Sequence, residues 1–80
     1  SMVKLKNIVK NNNMIQCDIY PEDSKEKGFI TVNVTTGELE SYVLPKEYEW
    51  CMNHLQHAKR ALLDMVKADK MQDEKVVMWC

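Results

Sequence analysis

The sequence predicts a two-layer α+β fold, in which an antiparallel meander of four strands packs against one long amphipathic helix. Two observations lead to this prediction. Apolar and polar residues alternate through much of the first half of the chain, which is typical of strands with one buried face. After Pro45, apolar residues recur at spacings of three and four, which is typical of a helix.

Four strands are expected, at about residues 3–9, 14–20, 29–35 and 39–44. The alternation is clearest in the second and third strands and weaker in the first. The asparagines at 11–13 and the charged segment 21–28, which ends in glycine, are typical of turns and connections. The residues predicted on the buried face of the two central strands are Ile15, Cys17, Ile19, Ile30, Val32 and Val34.

The third and fourth strands are expected to form a hairpin. Gly37, in the turn at residues 35–38, tolerates a positive φ, and apolar alternation resumes directly after it. Two registers differing by two positions fit this turn. In both of them, the residues predicted to lie opposite the buried face of the third strand are Leu39, Ser41 and Val43.

One amphipathic helix is predicted from about residue 46 to about residue 69. Pro45 suits a helix start, two glutamates follow near the positive end of the helix dipole, and lysines lie near the other end. The apolar stripe of this helix should pack on the buried sheet face. Its members are Tyr48, Cys51, Met52, Leu55, Ala58, Leu62, Met65 and Val66.

The chain ends in a continuous apolar run at residues 76–80, where most chains are polar and frayed. This run is expected to be buried, and two arrangements achieve this. It can add a fifth strand beside the N-terminal strand, or it can pair with or pack on another subunit.

The composition and the net charge argue against several classes of protein function. Eighty residues suit one domain, 1–80, and 11 cations against 12 carboxylates argue against a dedicated nucleic-acid binder. No apolar window is long enough for a membrane span, and the start of the chain lacks the apolar region of a signal peptide. Three cysteines without motif spacing fit reduced thiols, so a cytoplasmic location is expected.

The chemistry-bearing motifs predict neither an enzyme nor a cofactor. Two isolated glycines rule out phosphate-cradling loops, and no serine has the surroundings of a nucleophile elbow. A helix places Cys51 beside His54, the weak alternative for a metal site, but turns His57 about 120° away from Cys51. Both histidines are instead expected on the flank and the exposed face of the helix.

Five aromatic residues are the candidate binding contacts. Tyr20, Phe29 and Tyr42, together with Leu44, are predicted to share one end of the outer sheet face, and exposed apolar patches tend to mark interaction sites. Trp50 and Trp79 are the other two candidates.

The expected function is therefore a small non-enzymatic interaction or accessory protein, acting as a homodimer or with a protein partner. The alternative is a small nucleic-acid-associated regulator, for which Lys4, Lys6 and Lys10 give the first strand a local positive charge.

Overall fold

Five strands and one helix form the fold, seen in a computed structural model that describes residues 1–80. The strands build a single antiparallel sheet in the order β4-β3-β2-β1-β5, and the helix packs against one of its faces. The predicted α+β class is confirmed. The elements are β1 (Met2–Asn11), β2 (Met14–Pro21), β3 (Gly28–Asn33), β4 (Leu39–Val43), α1 (Asn53–Ala68) and β5 (Lys75–Met78).

The core lies between α1 and the sheet face that we call the inner face. The sheet contributes alternating residues of the two central strands, as the sequence predicts, and α1 contributes Leu55, Ala58, Ala61, Leu62 and Met65. The prediction is wrong for Tyr48, Cys51 and Met52, which lie before α1 and outside the core. Each fully buried Val, Leu or Ile side chain stabilises the fold by about 1.5–3 kcal/mol relative to an exposed one. The fully buried members are Val3, Leu5, Ile15, Ile19, Ile30, Val32, Leu55, Ala58 and Leu62.

The apolar C-terminal run forms β5 within the chain, which is the first of the two predicted arrangements. β5 pairs antiparallel with β1, so that Val77 lies opposite Val3. The backbone N–H of Trp79 donates to the carbonyl of Ser1 (3.0 Å), and the amino group of Ser1 donates to the carbonyl of Trp79 (3.2 Å). Both ends of the chain are therefore held in the sheet.

A β-bulge in β1 explains why the first strand alternates weakly in the sequence. The pairing with β2 shifts by one residue between Lys6 and Val9. Asn7 lies in this bulge with a φ of 54°, a conformation that asparagine tolerates better than most residues. As a result, Ile8 enters the core and Val9 points away from it.

A second bulge, in β4, makes the predicted buried face of that strand wrong beyond Glu40. Leu39 lies opposite Val32 as expected, but the register then shifts, so that Tyr42 lies opposite Ile30 and Val43 opposite Phe29. Side chains alternate along a strand, so one extra residue exchanges the two faces. Val43 is 63% exposed on the outer face.

The helix begins later than predicted. Lys46–Tyr48 form a short 3₁₀ turn instead, and two further residues continue with tight turns before α1 starts at Asn53. The backbone N–H of Cys51 donates to Tyr48 (3.1 Å), and the first bond of α-helical spacing runs from Gln56 to Met52 (3.1 Å). The end of α1 agrees with the prediction to within one residue, because Asp69 adopts a left-handed conformation there.

Candidate interaction surface

No helix or strand packs on the face of the sheet opposite α1, which we call the outer face. Directly paired residues in neighbouring strands share a face, so the registers define which side chains point outward. One row across this face reads Lys6, Asp18, Phe29 and Val43. The row nearer the chain termini reads Val76, Lys4 and Tyr20.

The end of the outer face that lies near the chain termini is rich in apolar side chains. Val43 and Met78 are exposed over 63% and 75% of their surfaces, and Val76 is also exposed. The opposite end of this face carries polar residues such as Gln16 and Thr31. We call the apolar end the outer apolar patch; it comprises Met2, Tyr20, Phe29, Val43, Val76 and Met78.

Two of the predicted contacts belong to this patch and a third does not. Tyr20 and Phe29 point outward and are half-buried. Tyr42 lies instead opposite Ile30 on the inner face at the sheet edge, and Leu44 is buried in the core. The prediction that Tyr42 and Leu44 point outward is wrong, because the β4 bulge reverses their faces.

Charged side chains divide the outer apolar patch. Lys4 lies between Val76 and Tyr20 in its row. The ammonium of Lys6 lies 5.6 Å from the centre of the Tyr20 ring, which is within the range of a cation–π contact. Asp18 accepts a hydrogen bond from the Asn7 amide (2.9 Å) and pairs with Lys27 at 3.7 Å.

Trp50 lies outside the outer apolar patch, in the segment that leads to α1. It is the most exposed large apolar residue, at 79%, and its indole N–H donates to the carbonyl of Glu47 (2.8 Å). This bond fixes the indole against its own turn. Trp50 therefore offers a separate apolar contact on the surface.

Trp79 packs on the helix side of the sheet. Its ring stacks on His57 with a centroid distance of 4.0 Å and an interplanar angle of 12°. It also makes an edge contact with His54 at 5.5 Å. Trp79 therefore secures the C-terminus against α1.

His54 is buried, which contradicts the expectation that both histidines lie on the flank or exposed face of the helix. Only 4% of its surface is exposed. Its Nε2 lies 2.7 Å from Oε2 of Glu22, and its Nδ1 has no hydrogen-bond partner. His57 is half-buried under Trp79. Glu22 follows directly after β2 and His54 lies in the first turn of α1, so the contact joins the end of the strand to the start of the helix.

Glu22 is the centre of a small polar cluster. It has a φ of 51°, and its carboxylate accepts bonds from His54 and from the backbone N–H of Met2 (3.2 Å). The hydrogen bond from His54 is the main reason why the pKa of Glu22 lies below its ordinary value. The pKa of Tyr48 is raised, chiefly by desolvation and then by the nearby carboxylate of Asp23.

The three cysteines are free and lie in different environments. Cys17 is buried in the core, and desolvation followed by the charge of Asp18 raises its pKa to about 12. Cys51 is half-buried and Cys80 is exposed. The imidazole of His54, which the metal alternative pairs with Cys51, is engaged by Glu22, and no three metal-ligating side chains converge.

The members of the patch that sequence reasoning missed are Met2, Val43, Val76 and Met78. A signal for two of them exists in the sequence. Once residues 76–78 are treated as a strand, Val76 and Met78 share the face opposite to Val77. Val43 depends on the β4 bulge, for which the sequence carries no clear sign.

No protein-family model, curated protein or solved structure matches this chain. None of its helices combines the length and the apolar character needed to cross a membrane.

Proposed function

We propose that the protein is a small non-enzymatic interaction module that self-associates through the outer apolar patch. The observation that carries the proposal is the uncovered sheet face, on which Val43 and Met78 are mostly exposed. Apolar patches on a surface tend to mark interaction sites, and closed two-fold dimers are the commonest assemblies. The proposal also includes a different protein, with a complementary apolar surface, as the molecule that binds to this patch.

The strand order suits a two-fold dimer packed face to face. A two-fold axis lying in the interface along β2, the central strand, would bring β5 of one copy over β4 of the other. Val76 and Met78 would then meet Val43, and the apolar ends of both copies would coincide. Lys4 and Lys6 lie on β1 within this face, and their long aliphatic stems would let the ammonium groups extend towards water.

A non-enzymatic role is supported by the burial of His54, the imidazole that contacts Glu22. His54 is enclosed by Tyr48 and Trp79, with ring centroids at 5.4 Å and 5.5 Å, and only 4% of it is exposed. An imidazole in this position has little access to a substrate. The three free thiols fit a reducing compartment, so the proposal includes a cytoplasmic location.

Light scattering across a dilution series tests the self-association. We expect the average mass of the wild-type protein to fall from that of a dimer towards the 9.4 kDa monomer on dilution. Val43→Lys should give a monomer at concentrations where the wild type is dimeric, because it places a charge against Val76 and Met78 of the other copy. Trp50→Lys is the matched control, since Trp50 is apolar and even more exposed than Val43 but lies outside the patch.

Two results would contradict the proposal of self-association through the outer apolar patch. The first is a wild-type mass of 9.4 kDa at every concentration. The second is a Trp50→Lys variant that dissociates while Val43→Lys stays dimeric, which would place the interface at Trp50. Circular dichroism of each variant establishes that it is folded.

A second candidate function is binding of single-stranded nucleic acid on the same face. The observation that favours it is the placement of Lys4 and Lys6 beside Tyr20 and Phe29, since bases stack on aromatic rings while cations contact phosphates. Anisotropy of a labelled mixed-sequence single strand at low salt tests it. Binding that is lost in a Lys4→Glu/Lys6→Glu variant would support this function, and no binding at low salt would exclude it.

A further inference from the structure

A cleft of about 510 Å³ lies on the helix side of the molecule, away from the outer face. Its walls are formed by α1, the segment that follows it, and β5. Its apolar lining consists of Ala61, Met65, Met71 and Val77. Clefts of about 300–1,000 Å³ with an apolar lining and a few polar groups are typical of small-molecule sites.

The charged groups around this cleft are mostly cationic. Arg60, Lys70 and Lys75 line it together with a single carboxylate, Asp64. None of the three cations takes part in an ion pair, since the pairs in the chain are Lys27–Asp18 and His54–Glu22. The cleft therefore carries a local positive charge, although the whole chain has a net charge of -1.

The walls of the cleft are anchored before any ligand binds. Asp69 ends α1 in a left-handed conformation, and the N–H of Lys70 donates to Met65 (3.0 Å). Further along, the carbonyl of Asp73 accepts a bond from the N–H of Ile8 in the β1 bulge (2.9 Å). The segment 70–72 is thus held at both ends, and a preformed site loses less entropy on binding.

We propose that this cleft binds a small organic anion with an apolar body, of the class of medium-chain carboxylates and alkyl or aryl phosphates. The apolar body would lie against Met65, Met71 and Val77. The anionic group would contact Arg60, whose planar guanidinium suits carboxylate and phosphate oxygens, with Lys70 and Lys75 nearby. The site is separate from the outer apolar patch and does not depend on self-association.

Fluorescence of Trp79 provides the measurement. Trp79 stacks on His57, which lines the cleft, and Trp50→Phe removes the only other tryptophan. In this background, octanoate and octyl phosphate are titrated below their micelle-forming concentrations, beside octyl glucoside, octyltrimethylammonium and inorganic phosphate. We expect saturable binding of at least one octyl anion, with a dissociation constant on the order of 1 mM or tighter. The neutral, cationic and inorganic probes should bind at least about tenfold more weakly.

Variants of the cations identify the site. Arg60→Ala, Lys70→Ala and Lys75→Ala should each weaken binding of the octyl anion by about 3- to 10-fold, and Asp64→Asn should tighten it. All four side chains are exposed, so these variants should fold. Lys67→Ala is the matched control, because Lys67 lies on α1 outside the cleft and should leave the affinity unchanged.

Three results of the ligand titrations would overturn the proposal. They are the absence of saturable binding by both octyl anions, equal binding of octyl glucoside, and equal binding of inorganic phosphate. An unchanged affinity in Arg60→Ala, Lys70→Ala and Lys75→Ala alike would also overturn it. Val43→Lys should bind the octyl anion like the wild type, which separates this site from the proposed dimer interface.

Discussion

The contact between His54 and Glu22 joins three distant parts of the chain. Glu22 follows β2, His54 lies in the first turn of α1, and the N–H of Met2 at the start of β1 donates to the same carboxylate. Glu22 also adopts a positive φ, a conformation that is rare outside glycine and asparagine. A single side chain therefore holds the start of the helix and the start of the sheet together.

Replacing Glu22 should make the free energy of unfolding fall less steeply as the pH is lowered into the acid range. The folded-state pKa of Glu22 is lowered, so its carboxylate contributes stability above the ordinary value of 4.5 that is lost as the pH falls through the lowered pKa. Glu22→Gln should lower the free energy of unfolding at pH 7 by about 1 kcal/mol. The difference from the wild type should shrink below pH 4.5, as measured by urea unfolding at several pH values.

Glu74→Gln is the control for this pH dependence. Glu74 is exposed and makes no side-chain hydrogen bond, so its replacement should leave the unfolding free energy close to that of the wild type. A Glu22→Gln variant as stable as the wild type at pH 7 would contradict the role given to the His54–Glu22 contact.

The three cysteines should react with alkylating reagents at very different rates. The pKa of Cys17 is raised to about 12 and its thiol is buried, so almost no thiolate is available near pH 8. Intact-mass measurements after iodoacetamide treatment should show at most two adducts on the native protein, at Cys80 and Cys51. A third adduct should require denaturant, and its rapid formation in the native protein would mean that the sheet core opens readily.

At the scale of elements, two bulges decide which side chains face the solvent. The sequence predicts β2 and β3 correctly because their alternation is unbroken. It fails in β4 because one extra residue at Glu40 exchanges the faces of Tyr42 and Val43. Such a bulge depends on how the chain must bend towards Leu44 and Pro45, both of which are buried, and this requirement is tertiary.

The helix start shows a similar limit of sequence reasoning. Pro45 and the glutamates after it are good signals for a helix N-terminus. In the structure these residues form a 3₁₀ turn, and α1 begins only after it. The ring centroid of Tyr48, at the end of this turn, lies 5.4 Å from that of His54. Apolar residues recur at nearly the same spacing in one continuous helix and in a 3₁₀ turn followed by a helix. The spacing therefore could not show where α1 begins.

Gly28 is expected to be the less replaceable of the two glycines. A Cβ at this position would collide with the backbone carbonyl of Val43 and lie 2.9 Å from Cδ of Pro45. Gly28→Ala should therefore cost about 3 kcal/mol in urea unfolding, because the β3–β4 pairing has to shift. Gly37→Ala is the comparison: Gly37 has a φ of 76°, but a Cβ there would make only an ordinary contact, 3.8 Å from Cδ1 of Leu63, so a loss of about 1 kcal/mol is expected. Equal losses in the two variants would contradict the close contact at Gly28.

At the scale of the whole molecule, β5 separates two surfaces with different chemistry. Val76 and Met78 point to the outer apolar patch, whereas Lys75 and Val77 line the cationic cleft on the helix side. The sequence offers a fifth strand as one arrangement of the C-terminal run, and this arrangement is confirmed. The prediction that the run is buried is wrong for Val76 and Met78, which are exposed over 51% and 75% of their surfaces, because β5 turns them to the uncovered outer face. The sequence could not predict the cleft, because the position of the cleft depends on the path that the segment after Asp69 takes from α1 to the edge of the sheet at β1.

The central claim, that the outer apolar patch mediates self-association, is tested most directly by NMR spectra of isotope-labelled protein over a dilution series. We expect the amide signals of Phe29, Val43, Val76 and their outer-face neighbours to shift with concentration, while those of α1 stay constant. Spectra that are identical at all concentrations, or shifts confined to α1 and the cleft, would contradict the claim.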